Sequence, residues 1–293
     1  MEILKINIES VYCVGDLHGN FKDILYFIKT NDIKNSVIIF CGDIGIGFYK
    51  PDYYKQVFNK IKKELSKRNL YILFCRGNHD DVEEFNGNTY KDKRIRTLRD
   101  YTVIQIFDIK DVEYKGISYN ILNVGGAISI DRTYRLARTE RRALEYMHHH
   151  GCSFEEAFRK CPQEYWLGEE PSFNKDKLDE IKNAGVKINA ICTHTCPDFC
   201  VPYTKDGIKG WLLEDSKLEE DIDKERQTMT DLYNKLIEDG HPIDKWCYGH
   251  YHFHNFQEID GIKFYLLDMD RNGIMDFVEI FRNNIEIYED TVS

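Results

Sequence analysis

The chain has 293 residues, 42% of them hydrophobic and 31% charged, which is enough apolar material for one large domain or a domain with an insertion. Its formal net charge of −10 argues against an overall field suited to extended nucleic acid or an anionic membrane. No stretch reaches the roughly 18 consecutive apolar residues of a membrane span, and the opening MEILKINIES lacks a basic, then apolar, leader pattern, so the expected location is the cytoplasm. The nine cysteines are odd in number, and Cys13, Cys41, Cys75 and Cys192 sit inside apolar runs. They read as buried thiols rather than disulfides.

Apolar, β-branched runs recur along the chain, each ending in glycine or a polar turn. VYCVGD, SVIIFCGD and LYILFCRGN come first, separated by segments with helical apolar spacing at Asn20 to Thr30 and Asp52 to Lys67. SYNILNVGG follows, and then from about 130 to 174 the texture becomes arginine-rich and helix-prone, which reads as a helical insertion within a single domain spanning 1–293. INAICTHT, KWCYGH and KFYLLDMD complete the expected strands. A further helix over Lys217 to Asp239 lacks a broad apolar stripe and is expected at the surface. Alternating strands and helices predict a layered α/β core.

The polar residues with chemistry to offer fall at or just beyond the ends of these runs, where open α/β sheets place ligands. In order they are Gly15-Asp16-Leu17-His18-Gly19, Gly42-Asp43, Gly77-Asn78-His79-Asp80, His194 within THTCP, and Gly249-His250-Tyr251-His252. Taken singly, a Gly-Asp or Gly-Asn after a strand is an ordinary turn. Together they supply carboxylate, amide and imidazole donors, a mixed oxygen and nitrogen set suited to Mn, Fe, Zn, Ni or Co. Asp43 adds a carboxylate able to bridge two ions.

These five blocks resemble the pattern of the calcineurin-like metallophosphoesterases, which runs D-x-H, G-D, G-N-H-[D/E], H and G-H-x-H. The resemblance implies a four-layer α/β/β/α sandwich of two mixed sheets. It implies two divalent metal ions, with Mn expected first: one held by Asp16, His18, Asp43 and His252, the other by Asp43, Asn78, His194 and His250. Asp43 would bridge them. Such a pair binds phosphate oxygens, generates hydroxide at neutral pH and stabilises an in-line displacement. The same pattern places His79 beside the ions as the acid that protonates the leaving oxygen, with Asp80 either orienting that imidazole or serving as a turn residue.

The expected activity is hydrolysis of a phosphate ester, a monoester ahead of a diester or nucleic-acid end, with a non-catalytic scaffold further behind. Expected substrates are a phosphorylated small molecule, a nucleotide or a phosphoprotein. The protein Ser/Thr phosphatase branch of the family continues its second block as G-D-x-V-D-R-G, whereas here the run is Gly42-Asp43-Ile44-Gly45-Ile46-Gly47-Phe48, so the substrate does not carry over. Arg132, Arg135 and Arg138 recur every three residues on one helical face and are candidates for a replacement phosphate ligand, since the guanidinium fork suits phosphate. Pairing of that face with nearby glutamates is the plainer reading. Tyr165 and Trp166 are expected to anchor the insertion, and His148, His149 and His150 to lie at the surface.

Overall fold

The computed structural model describes residues 1–87, 90–107, 119–204, 206–271 and 273–283. In chain order the strands and helices are β1 (Ile3–Asn7), β2 (Ser10–Val14), α1 (Phe21–Thr30), β3 (Ser36–Phe40), α2 (Pro51–Arg68), β4 (Leu70–Phe74), α3 (Val82–Gly87), β5 (Ile95–Thr97), β6 (Thr102–Phe107) and β7 (Tyr119–Val124). Three helices follow, α4 (Arg132–His150), α5 (Phe154–Lys160) and α6 (Lys175–Asn183), then β8 (Ala190–Thr193), α7 (Leu218–Glu238), β9 (Lys245–Tyr248), β10 (Asn255–Ile259), β11 (Ile262–Leu266) and β12 (Phe277–Arg282).

The strands form two mixed sheets. One has seven strands in the order β1-β6-β7-β8-β9-β11-β10, the other five in the order β12-β2-β3-β4-β5. Between the sheets lies a core to which both contribute, including Val11, Val37, Ile39 and Leu73 from one and Ile104, Ile121, Cys192 and Cys247 from the other. A second core, with Phe21, Ile24, Phe58 and Ile61, joins α1 and α2 to the five-stranded sheet. A third, with Leu178, Met229, Leu232 and Trp246, joins α6 and α7 to the seven-stranded sheet. The result is the four-layer sandwich with helices outside. All nine cysteines are free thiols, and no helix among the described residues is long and apolar enough to cross a membrane.

Local chemistry accounts for the helix limits. Pro51 opens α2, where its missing N–H costs nothing, and Asn69 closes it in the left-handed conformation at φ 51°. The surface placement expected for α7 is corrected: Leu218, Met229, Leu232 and Leu236 bury one face, and that face also takes Glu225 and Arg226. Those two charges interrupt the apolar stripe and conceal it in the sequence. They are tolerated because Glu225 accepts bonds from Ile128 N and Thr195 Oγ1, each at 2.5 Å, while Arg226 donates to the carbonyls of Pro197, Cys200 and Pro202.

Candidate metal centre

Parallel pairing of β2, β3 and β4 in one sheet and of β8 and β9 in the other brings their C-terminal loops to one end of the sandwich. Those loops carry the candidate ligands. Asp16, His18, Asp43 and His252 lie close enough for one ligand atom from each to fall within 4.8 Å of the others. The His18 and His252 Nε2 atoms are 3.2 Å apart, and Asp16 Oδ2 is 3.4 Å from His252 Nε2. Asp43 faces two ways: Oδ2 is 3.7 Å from His18 Nε2, whereas Oδ1 is 3.2 Å from His194 Nε2. On that second side, Asn78 Oδ1 is 3.0 Å from His194 Nε2, and the His250 ring lies 5.0 Å from the His194 ring.

The backbone pays for this convergence in strain. His18, Asp43, His250 and His252 all have positive φ, at 47°, 50°, 73° and 56°, a region that non-glycine residues seldom enter away from functional sites. Two glycines clear the space. A Cβ on Gly42, where φ is 105°, would run into the His194 ring, and one on Gly77 would run into the Asp43 carboxylate.

The hydrogen bonding tests whether a cation fits. His194 Nδ1 donates to the Cys41 carbonyl at 2.7 Å, which leaves Nε2 facing the oxygens of Asn78 and Asp43. Three acceptor atoms cannot converge unless positive charge sits among them. Against the burial that lowers it, the Asp43 and Asp16 carboxylates raise His194 to about 10. The His194 charge in turn helps hold Asp16 and Asp43 below the usual carboxylate range despite their own burial. A divalent ion supplies such positive charge, and the cluster of Asp16, His18, Asp43 and His252 fits one.

The family pattern of the calcineurin-like phosphoesterases matches residues 10–254, a span that contains every candidate ligand. The chain belongs to the calcineurin-like phosphoesterases. No curated protein matches it significantly. Among solved structures it is similar to a phosphopantetheinyl hydrolase from Mycobacterium tuberculosis at 12% identity and a TM-score of 0.43, covering 93% of this chain and 97% of that one. It is also similar to a dimetal phosphatase from Danio rerio, at 12% identity and a TM-score of 0.42, over 89% and 88% of the two chains. A third likeness is to GAP50, the anchor in the inner membrane complex of Plasmodium, at 13% identity and a TM-score of 0.41, over 88% and 71%.

Membership of the phosphoesterase family implies divalent ions, and the neighbouring side chains show how this member is built around their site. His79 lies at its edge, with Nε2 3.9 Å from Asp43 Oδ2 and 3.3 Å from Asn78 Nδ2. Burial, aided by the Arg135 charge, lowers it to about 4 in the metal-free chain. Of the two roles expected for Asp80, orienting His79 is corrected and holding the turn remains. Both Asp80 oxygens are taken by backbone N–H groups, from Ile44 and Gly77 on one and Gly45 and Ile46 on the other, and His79 Nδ1 has no partner among the described residues. Asp80 ties the loop after β3 to the loop after β4.

The three arginines separate. Arg135 lines the cavity that opens over Asp43, Asn78 and His79, and it bonds to Asp131 at 2.7 Å. Arg132 is instead locked to Asp215 and Asp221 at 2.6 and 2.7 Å, and the exposed Arg138 pairs with Glu164 at 3.1 Å. Neither of these two lines that cavity, which corrects the expectation for them. Trp166 is buried and stacks on Phe48 with ring centroids 6.2 Å apart, while His148, His149 and His150 are exposed.

Two residues at the centre had no signal in the sequence. Ser129 accepts from Asn78 Nδ2 at 2.9 Å, and Glu169 receives both the Ser129 hydroxyl and its backbone N–H, at 2.6 and 2.7 Å. Burial pushes the Glu169 carboxyl up to about 8 in the metal-free chain, against the two bonds from Ser129.

Proposed function

We propose that this phosphoesterase is a dinuclear metal-dependent phosphatase that hydrolyses a small phosphomonoester. The observation that carries this reading is the cavity of about 670 Å³ whose floor includes Asp43, Asn78, His79, His250 and His252, and whose wall includes Arg135. Asp16, His18, Asp43 and His252 would hold one ion, and Asp43, Asn78, His194 and His250 the other. Bound divalent ions supply Lewis acidity toward phosphate oxygens and acidify water, and Mn, with its taste for mixed oxygen and nitrogen donors, is the first to try.

The chain's own groups supply the rest. Asp43 turns one carboxylate oxygen to each half of the site, which is the arrangement a bridging ligand needs. Arg135 offers its guanidinium to the phosphate from the wall. His79 is neutral in the metal-free chain. A phosphate ester arriving as its monoanion brings a proton that His79 takes as the phosphate charge opposes the burial and the Arg135 charge, and the imidazolium so formed gives that proton to the leaving oxygen. Ile208, Trp211, Tyr203 and Phe253 make a largely apolar side of the same cavity, fitted to the organic part of a small ester such as a nucleotide. Residues 130–174, on this reading, form an insertion that brings Arg135 to the site.

The test is the hydrolysis of a chromogenic phosphate monoester against its matching diester, in chelated and then Mn-reconstituted protein. Metal-dependent preference for the monoester supports the proposal. Preference for the diester replaces it with a phosphodiesterase or nuclease, and inactivity on every phosphate ester tried, with metal bound, points to a scaffold.

A further inference from the structure

Resting on the metal centre just proposed, we infer that Glu169 is a positioning residue for the second ion and sets, through Ser129, which end of the Asn78 amide faces the metal. The inference comes from the direction of three hydrogen bonds. With an ion beside Asn78 the Glu169 carboxylate is ionised and only accepts, so both Ser129 groups that touch it, the backbone N–H at 2.7 Å and the hydroxyl at 2.6 Å, must donate. The Ser129 hydroxyl has a single hydrogen. With that hydrogen committed to Glu169, its oxygen is left to accept, and the group it faces at 2.9 Å must be the Asn78 NH₂. The Asn78 carbonyl oxygen is thereby turned to the other side, 3.0 Å from His194 Nε2, where only an oxygen can serve an ion.

All three residues are buried, with Glu169 and Ser129 each 1% exposed and Asn78 2%, so no solvent competes for these bonds. The Glu169 backbone is anchored separately: its carbonyl accepts from Arg76 at 2.7 Å and from Ala127 N at 3.1 Å. A change to the side chain alone therefore leaves the segment attached. Partners that orient a ligand from behind typically alter metal affinity by roughly 10–100-fold when replaced.

Glu169→Gln tests the polarity with almost no change in shape. The glutamine oxygen must take the Ser129 N–H, so its NH₂ faces the Ser129 hydroxyl and donates to it. The hydroxyl hydrogen is then turned away, and either it has no acceptor or Asn78 must flip and present NH₂ to the ion. Calorimetric titration of chelated protein with Mn²⁺ should show two ions in the unaltered chain. In E169Q the first should be retained and the second weakened by roughly 10–100-fold, with thermal melting of the chelated variant as the control on folding. Ser129→Ala, which removes the hydroxyl altogether, should give the same loss.

A reciprocal change separates polarity from bulk structure. Asn78→Asp makes both side-chain oxygens acceptors, so in the E169Q chain one takes the redirected hydroxyl hydrogen and the other faces the ion. The gain in affinity from N78D should be larger in E169Q than in the unaltered chain, a coupling that a double-mutant cycle reads directly. Unchanged binding of the second ion in E169Q, or equal gains from N78D in both chains, would overturn the inference. Fewer than two ions in the unaltered chain would instead overturn the metal centre, and this inference with it.

Discussion

Asp80 Oδ1 accepts the backbone N–H of Gly45 at 2.8 Å. It is one of three such bonds, with those from Ile44 and Ile46, that pin the loop after β3 to the loop after β4, and Asp80 also takes the N–H of Gly77 within its own loop. Asp80 is thus a clamp between two loops that carry candidate ligands. Replacing it with alanine leaves buried N–H groups without acceptors, each costing on the order of 1–3 kcal/mol. We expect Asp80→Ala to lower stability by about 3 kcal/mol or more, measured as denaturant unfolding of the chelated protein.

His79 is proposed to donate the proton to the leaving oxygen. His79→Ala should still bind two ions, while turnover of the best ester falls by roughly 10²–10⁴-fold, the usual contribution of general acid catalysis. Loss of an ion in this variant, counted by elemental analysis, would make His79 a ligand instead.

Among the arginines, Arg135→Ala should raise KM and lower kcat together, as expected of the guanidinium proposed to hold phosphate in the ground state and during transfer. Arg138→Ala should leave both constants close to the unaltered values. Arg132→Ala should register first as a loss of thermal stability, since its bonds to Asp215 and Asp221 tie α4 to the region of α7.

Glu169 gives the metal-free protein a pH dependence of definite sign. Its carboxyl keeps a proton up to about 8 in the fold but releases it near the ordinary value of 4.5 when unfolded. Between those values the unfolded state binds fewer protons, so the contribution is fully present below 4.5 and is lost as pH rises through about 8. Chelated protein should lose melting temperature across this range, and E169Q, which mimics the neutral acid, should lose less. A cation beside Asn78 favours the ionised carboxylate, so reconstitution should reduce the difference.

Much of the architecture was legible because buried parallel strands announce themselves as continuous apolar runs. SVIIF and LYILF in the five-stranded sheet are examples. Of the strands that escaped notice, β1, β5, β10 and β12 are the outermost strands of the two sheets. There a half-exposed sequence such as NFQEI has the texture of a loop. The candidate ligands were visible because each follows a strand directly. The Asn78, Ser129 and Glu169 chain was not: it joins positions 51 and 40 residues apart, and no local pattern encodes a contact between loops. Arg132, Arg135 and Arg138 share a spacing, yet acidic partners on α7 and near α5 assign them different roles.

Asp43 is proposed to bridge two ions, and a metal count in the unaltered and Asp43→Asn proteins tests this most directly. After chelation, reconstitution with Mn²⁺ and removal of excess metal, the unaltered chain should retain two ions, and D43N should bind both more weakly and be inactive. A count of one ion in the unaltered chain, or two tightly held ions in D43N, would contradict it.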